Sequence, residues 1–147
     1  MRELQRIIYN RLKTDSALWA LLGLGVSPSE AAIASVILPV PPNRPPESAQ
    51  IYFRFPPSVP SFRNTAWEFR PIEFRIWTSD ISLGNQQDIS NRIQELFCNW
   101  IFVWPGVTCS TIRYISEGGI PGVIGELYGW CLEMELGNEV KHFTQGG

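Results

Sequence analysis

The first apolar positions of the chain repeat at helical spacing. Leu4, Ile7, Ile8 and Leu12 recur between Glu3, Arg6, Arg11 and Lys13, which predicts an amphipathic helix with one buried stripe. Such a stripe needs a sheet or a second helix to cover it. After Asp15 or Ser16 the pattern resumes in Leu18, Leu21 and Leu22, and Gly23 with Gly25 can end it by adopting positive φ. Ser27-Pro28-Ser29-Glu30 has a capping-box arrangement with proline at the first helical position, predicting a short helix over about 28–35.

The period then changes. Prolines crowd residues 39–60, including Pro41-Pro42 and Pro45-Pro46, which forbids regular helix and forces extended backbone. Inside this stretch Ile51, Phe53 and Phe55 alternate with Tyr52 and Arg54, the period of a short edge strand. Ile72, Phe74 and Ile76 alternate with Glu73, Arg75 and Trp77 in a clearer strand, one that can begin before Pro71. Ile89, Ile93, Leu96 and Phe97 return to helical spacing opposite Asp88, Arg92 and Glu95. Pro105-Gly106 breaks the chain, residues 108–115 are β-rich, and Gly118-Gly119 with Pro121-Gly122 mark a loop. In the final strand Tyr128, Trp130, Leu132, Met134 and Leu136 face one way and Cys131, Glu133 and Glu135 the other.

This order predicts an α+β fold: a mostly antiparallel sheet with two main helices packed on one face and a long proline-rich loop. A single domain covers residues 1–147, with a loop or arm at about 39–67 and a flexible C-terminal tail at about 138–147.

Composition narrows the function. The chain is 44% hydrophobic and 18% charged, which places it among chains that fold around a core. A net charge of -2 gives no general attraction to phosphate backbones, so nucleic acid is not expected as a specific partner. Ten Arg stand against Lys13 and Lys141; this bias suits planar contacts at protein interfaces and equally a solvated surface. The longest strongly apolar run, residues 97–104, is far short of the ~20 residues a membrane helix needs. With no signal-peptide pattern at the N-terminus, the protein reads as soluble, made in the cytoplasm and without a membrane partner. Cys98, Cys109 and Cys131 form no C-x-x-C pair and read as reduced, half-buried thiols.

Catalytic chemistry finds no support. His142 is the sole histidine, so neither a zinc site nor a Cys-His or Ser-His-Asp system can be assembled with ordinary groups. Nothing in the spacing of Asp15, Asp80, Asp88 and the eleven Glu gathers them into a catalytic pair, and Glu133 and Glu135 read as solvated or Arg-paired. The glycines of 118–125 lack the Gly-Lys-Ser/Thr ending of a phosphate loop. Pro42-Asn43-Arg44-Pro45 fits P-x-x-P, a pattern common in any proline-rich loop. The chain is expected to be no enzyme and to use no metal or cofactor.

Two features favour protein contact. Seven of the eight residues at 97–104 are apolar, so either this run is core or at least one of its tryptophans is left for a neighbouring subunit. The 39–67 segment exceeds ordinary connector length and combines proline with arginine and aromatic residues, a composition suited to docking. The interface candidates are Arg44, Arg54, Arg63, Trp67, Trp100 and Trp104.

The arrangement resembles the bacteriophage tail-completion and tail-terminator (neck) family. The likeness rests on the N-terminal helix of residues 4–22, a proline-bearing excursion before the first strand, the strand-helix unit of residues 72–97 and the late strands. The most similar stretch is Phe74-Arg75-Ile76-Trp77-Thr78-Ser79, followed by the helix with Ile89-Ser90-Asn91-Arg92-Ile93. The resemblance implies a structural virion protein that forms a homo-oligomeric ring, typically a hexamer, at the head-proximal end of a tail. Such a ring terminates the tail tube and joins it to the head-neck complex, so its partners are itself, the tail tube protein and neck or connector proteins, with DNA able to pass through. The proline content of 39–60 and the tryptophans at 100 and 104 depart from that pattern. The competing expectation is a monomeric adaptor that engages a protein partner through its proline-rich loop.

Overall fold

In the computed structural model, which describes residues 2–43, 49–57, 61–62, 67–79, 83–105, 107–124 and 127–140, the first helical region is two helices. Helix α1 (Arg2–Lys13) ends before Asp15, whose extended backbone starts α2 (Ser16–Leu21). The Asp15 carboxylate accepts the Leu18 N–H at 2.9 Å, satisfying one of the donors that a helix start leaves bare. Gly23 and Gly25 follow with φ of 76° and 85°, the left-handed backbone expected of them. Helix α3 (Glu30–Val36) starts two residues later than a Ser27 cap implies, because the Ser29 hydroxyl takes the Ala32 N–H.

Among the described residues seven strands form one sheet: β1 (Ile37–Leu38), β2 (Gln50–Arg54), β3 (Ser61–Phe62), β4 (Trp67–Thr78), β5 (Ile101–Trp104), β6 (Val107–Ile124) and β7 (Leu127–Val140). Their order is β1-β2-β4-β7-β6-β5, with β3 pairing to β4 beside β2. β1 lies parallel to β2, and the remaining pairings are antiparallel. Helix α4 (Leu83–Phe97) links β4 to β5. Pro71 falls between the part of β4 that pairs with β2 and the part that pairs with β3, a gap where a missing N–H is tolerated.

Four expectations need correction. The strand around Ile51 and Phe53, expected at an edge, is β2 and lies between β1 and β4. The loop predicted at Gly118-Gly119 and Pro121-Gly122 is strand, because β6 runs through it beside β7. Register shifts between Tyr114 and Ser116 and between Ile120 and Val123 absorb the misfit without ending the pairing. Residues 101–104, read only as an apolar run, are the edge strand β5. Of the tail expected at about 138–147, residues 138–140 are strand, since β7 continues to Val140 and Asn138 is buried, and residues 141–147 lie outside the described residues.

The helices of the described residues cover one face of the sheet. Leu4, Ile8, Leu12 and Leu18 from α1 and α2, and Ile89, Ile93 and Phe97 from α4, pack on Ile51, Phe53, Ile72, Phe74, Ile76, Leu132 and Met134. The bulge between Tyr114 and Ser116 has a consequence for this packing. It shifts the alternation by one, so that Glu117 sits opposite Leu132 and faces the helices. There its carboxylate accepts from the Ser90 hydroxyl and, at 3.0 Å, from the Trp130 indole N–H, tying α4 to the sheet. Gln86 adds a bond from its amide to the Tyr128 carbonyl at 2.8 Å.

The opposite face carries a small aromatic cluster of Tyr52, Trp77 and Leu127 that includes no helical residue. Gly129 is required there: an added Cβ would lie 2.8 Å from the Trp77 ring and 2.9 Å from Ile120 Cδ1. Gly129→Ala is expected to destabilise the fold by about 1–3 kcal/mol through this overpacking, read as a lowered thermal midpoint. An unchanged midpoint would mean that the Trp77 ring yields freely.

Candidate protein interface

Strand alternation puts a band of charge on the sheet face that the helices leave open. Arg54 Nε meets Glu73 Oε2 at 2.7 Å, Arg75 Nη2 reaches the same oxygen at 3.5 Å, and Arg113 Nη2 meets Glu135 Oε1 at 2.6 Å. The Ser116 hydroxyl donates to Glu133 at 3.3 Å. Glu73, Cys131 and Glu133 bring possible metal-ligating atoms within 4.8 Å of one another. Two guanidiniums already hold Glu73, however, and burial foremost, with the Glu73 charge second, pushes the Cys131 thiol up. A protonated thiol beside an Arg-paired carboxylate is a poor cation site. The band is a self-paired charge ladder.

The Cys109 thiol is raised as well, first by burial and then by its hydrogen bond to Glu139. Iodoacetamide at neutral pH is therefore expected to label Cys109 and Cys131 more slowly in the folded protein than in the denatured chain, measured by peptide mass spectrometry. Equal rates would contradict this environment.

The interface candidates read from the sequence lie in different places. Arg54 belongs to the charge ladder, and Trp67 opens β4 with its ring stacked on Phe69 at 6.3 Å. Arg44 and Arg63 fall outside the described residues. Trp100 is half-buried, stacked on Phe102 at 4.3 Å, with the Arg11 guanidinium 4.1 Å over its ring. The other half-buried candidate, Trp104, donates its indole N–H to Ser110 at 2.8 Å, and Ser110 donates to the buried Asn138 at 2.6 Å. Both tryptophans of the apolar run are thus anchored to the fold.

What the run offers to the outside is its two aliphatic residues. Ile101 and Val103, 68% and 66% exposed, project from β5 on the side away from the helices. The alternation Ile-Phe-Val-Trp carried this signal, since a strand that buries Phe102 must turn its neighbours outward. β5 ends the sheet, and its pairing with β6 reaches only to Thr111. Beyond that point β6 is itself the edge among the described residues, and it exposes Tyr114 and Ile115. Among the described residues the result is a long sheet edge along which four large apolar side chains are exposed, and exposed edges and apolar side chains are features that protein contacts use.

Cavities also lie among the described residues. One of about 270 Å³ lies among Tyr9, Lys13, Trp19 and Ile33, and a shallower one of about 530 Å³ lies among Ile7, Arg11, Asp15 and Trp100. Neither gathers groups with a catalytic geometry. No helix among the described residues is long and apolar enough to cross a membrane.

The sequence matches no protein-family profile and no curated protein sequence. The fold does match a solved structure, a chain of the "Virion of native gene transfer agent (GTA) particle", with a TM-score of 0.68 at 14% identity. The match covers 94% of this chain and 96% of that one. At such identity the likeness is one of fold, and it extends over nearly the whole of both chains.

Proposed function

We propose that this protein is a non-enzymatic structural subunit of a phage-like virion, forming a ring that terminates the tail tube and joins it to the neck. The observation that carries the reading is the end-to-end fold likeness to a virion chain, in which neither protein has a large region without a counterpart. The chemistry of the surface supports it. Charges on the open face pair with one another in place of converging on a ligand, and apolar side chains project from a sheet edge. A hexamer is the ring size that the tail-terminator resemblance implies.

Negative-stain images of the purified protein test the reading directly, with closed rings around a central opening as the expected result. A chain that stays monomeric across the micromolar range and also fails to bind purified tails would sink it. The exposed residues Pro39, Val40, Pro41 and Asn43 favour a second reading, an adaptor that docks through this loop. Deleting residues 41–46 separates the two. Loss of a partner with the oligomer retained supports the adaptor, and loss of ring assembly supports the terminator.

A further inference from the structure

The cavity of about 270 Å³ where α1, α2 and α3 meet has Tyr9, Lys13, Trp19, Glu30, Ile33 and Ala34 among its walls. Its polar groups are largely unspent. The Trp19 indole N–H donates to the Lys13 carbonyl at 2.9 Å, which fixes that ring. Among the described residues, however, the Tyr9 hydroxyl has no hydrogen-bond partner, Glu30 has no cation, and the Lys13 ammonium has no carboxylate, lying only 5.4 Å over the Tyr9 ring. Two aromatic rings, two spare donors and one spare carboxylate therefore share a single cavity. A polyproline segment has the matching chemistry, since its rings pack on aromatic side chains while its carbonyls accept and its prolines have no N–H to donate.

We infer that the proline segment after β1 in one copy, Pro41-Pro42-Asn43-Arg44, docks in this cavity of the next copy, with Arg44 set against Glu30; this rests on the ring reading above. Arg44 supplies the cation that Glu30 lacks, and a guanidinium can hold a carboxylate through two parallel bonds. The segment is not spent on its own chain. The Gln5 amide donates to the Pro39 carbonyl at 2.9 Å, which holds the root of the segment about one turn of α1 before Tyr9. None of residues 39–43 lines the cavity of its own chain, and Pro39, Val40, Pro41 and Asn43 are exposed. Proline also restricts the segment before it docks, so little ordering entropy is lost on contact. Segment and cavity are unlike patches of one chain, and each copy can use both, as a ring contact requires.

Charge exchange in the full chain tests this, with Glu30→Arg and Arg44→Glu studied singly, combined in one chain, and as an equimolar mixture. Light scattering and negative stain read the assembly beside the wild type, and circular dichroism should stay that of the wild type. Each single variant is expected to lose the ring, because like charges then meet at every junction. The mixture is expected to regain it, since alternating copies restore an opposite pair at each contact. Should Glu30→Arg lose the native spectrum, Ala34→Trp, which fills the cavity from an exposed helical position, takes its place; it should lose the ring alone and form only a dimer with Arg44→Glu. Rings that persist in either single variant would overturn the contact and leave the ring reading standing, the outcome expected if the cavity serves a foreign proline-rich protein. Recovery in the combined variant but not in the mixture would place the pair within one chain and overturn it too, as would recovery in neither. A wild type that forms no ring would overturn this contact and the ring reading together.

Discussion

Phe74→Ala is expected to remove about 3–5 kcal/mol of stability, the usual cost of emptying a buried phenylalanine site. Phe74 is fully buried in β4, opposite Phe53 of β2 and Leu132 of β7. Its ring centroid lies 5.9 Å from Phe53 and 5.3 Å from Phe97, so one side chain joins the centre of the sheet to the last turn of α4. Neighbours fixed on three strands and a helix cannot collapse into the space it leaves. Because single domains are stable by only about 5–15 kcal/mol, the loss takes a large share of the total. Urea denaturation should show a lower midpoint with little change of slope, and Phe74→Leu should lose much less. A Phe74→Ala loss under about 1 kcal/mol would mean that the site is loosely packed, against the geometry described here.

The parts of the fold legible in the sequence are those where one face is buried and the period is undisturbed. β4, α4 and β7 qualify, since Phe74, Ile93 and Leu132 each recur with neighbours at the spacing of their own element. The second half of β6 was not legible, because Gly118, Gly119 and Pro121 are local turn signals. What overrides them is long-range: β7 presents a ladder of 14 residues, and bulges let β6 follow it. The half-buried place of Glu117 was hidden for the same reason, since a one-residue shift that the sequence does not announce turns it toward α4.

Which residues of the apolar run are exposed is a matter of alternation more than of composition. The 97–104 run drew notice through its tryptophans, and large aromatics are the usual interface anchors. Counting apolar residues could not say which of them face out; period-2 alternation could, and it selects Ile101 and Val103. The arginine candidates illustrate a different limit. Arg54 has Glu73 as a cross-strand neighbour, and that pairing depends on a register that no local pattern encodes.

Loss of the Asp15 carboxylate is the second large effect, and here its size depends on pH. Arg92 grips this carboxylate through two bonds, Nε to Oδ2 at 2.9 Å and Nη2 to Oδ1 at 2.6 Å. Oδ2 also takes the Leu18 N–H, so one side chain both caps α2 and fastens the α1–α2 elbow to α4. Asp15→Ala should cost about 2–4 kcal/mol, combining a lost cap with broken charge-assisted bonds and an Arg92 left without its main partner. Burial pushes the Asp15 carboxyl up, but the Arg92 hydrogen bonds, the Leu18 N–H and the charges of Arg92 and Arg11 together outweigh it. They hold Asp15 below its ordinary value of 3.8. A carboxyl depressed in the folded state binds its proton more readily when unfolded, so its contribution is complete above the ordinary value and fades as pH falls through the folded one. The gap in stability between wild type and Asp15→Asn should therefore be constant near neutrality and narrow below about pH 4. Arg92→Ala should narrow it near neutrality and leave it little changed in strong acid, because the partner that depresses the carboxyl is gone. A gap that stays the same into strong acid, or one untouched by Arg92→Ala, would separate the cap from the ion pair and leave α2 held by its backbone alone.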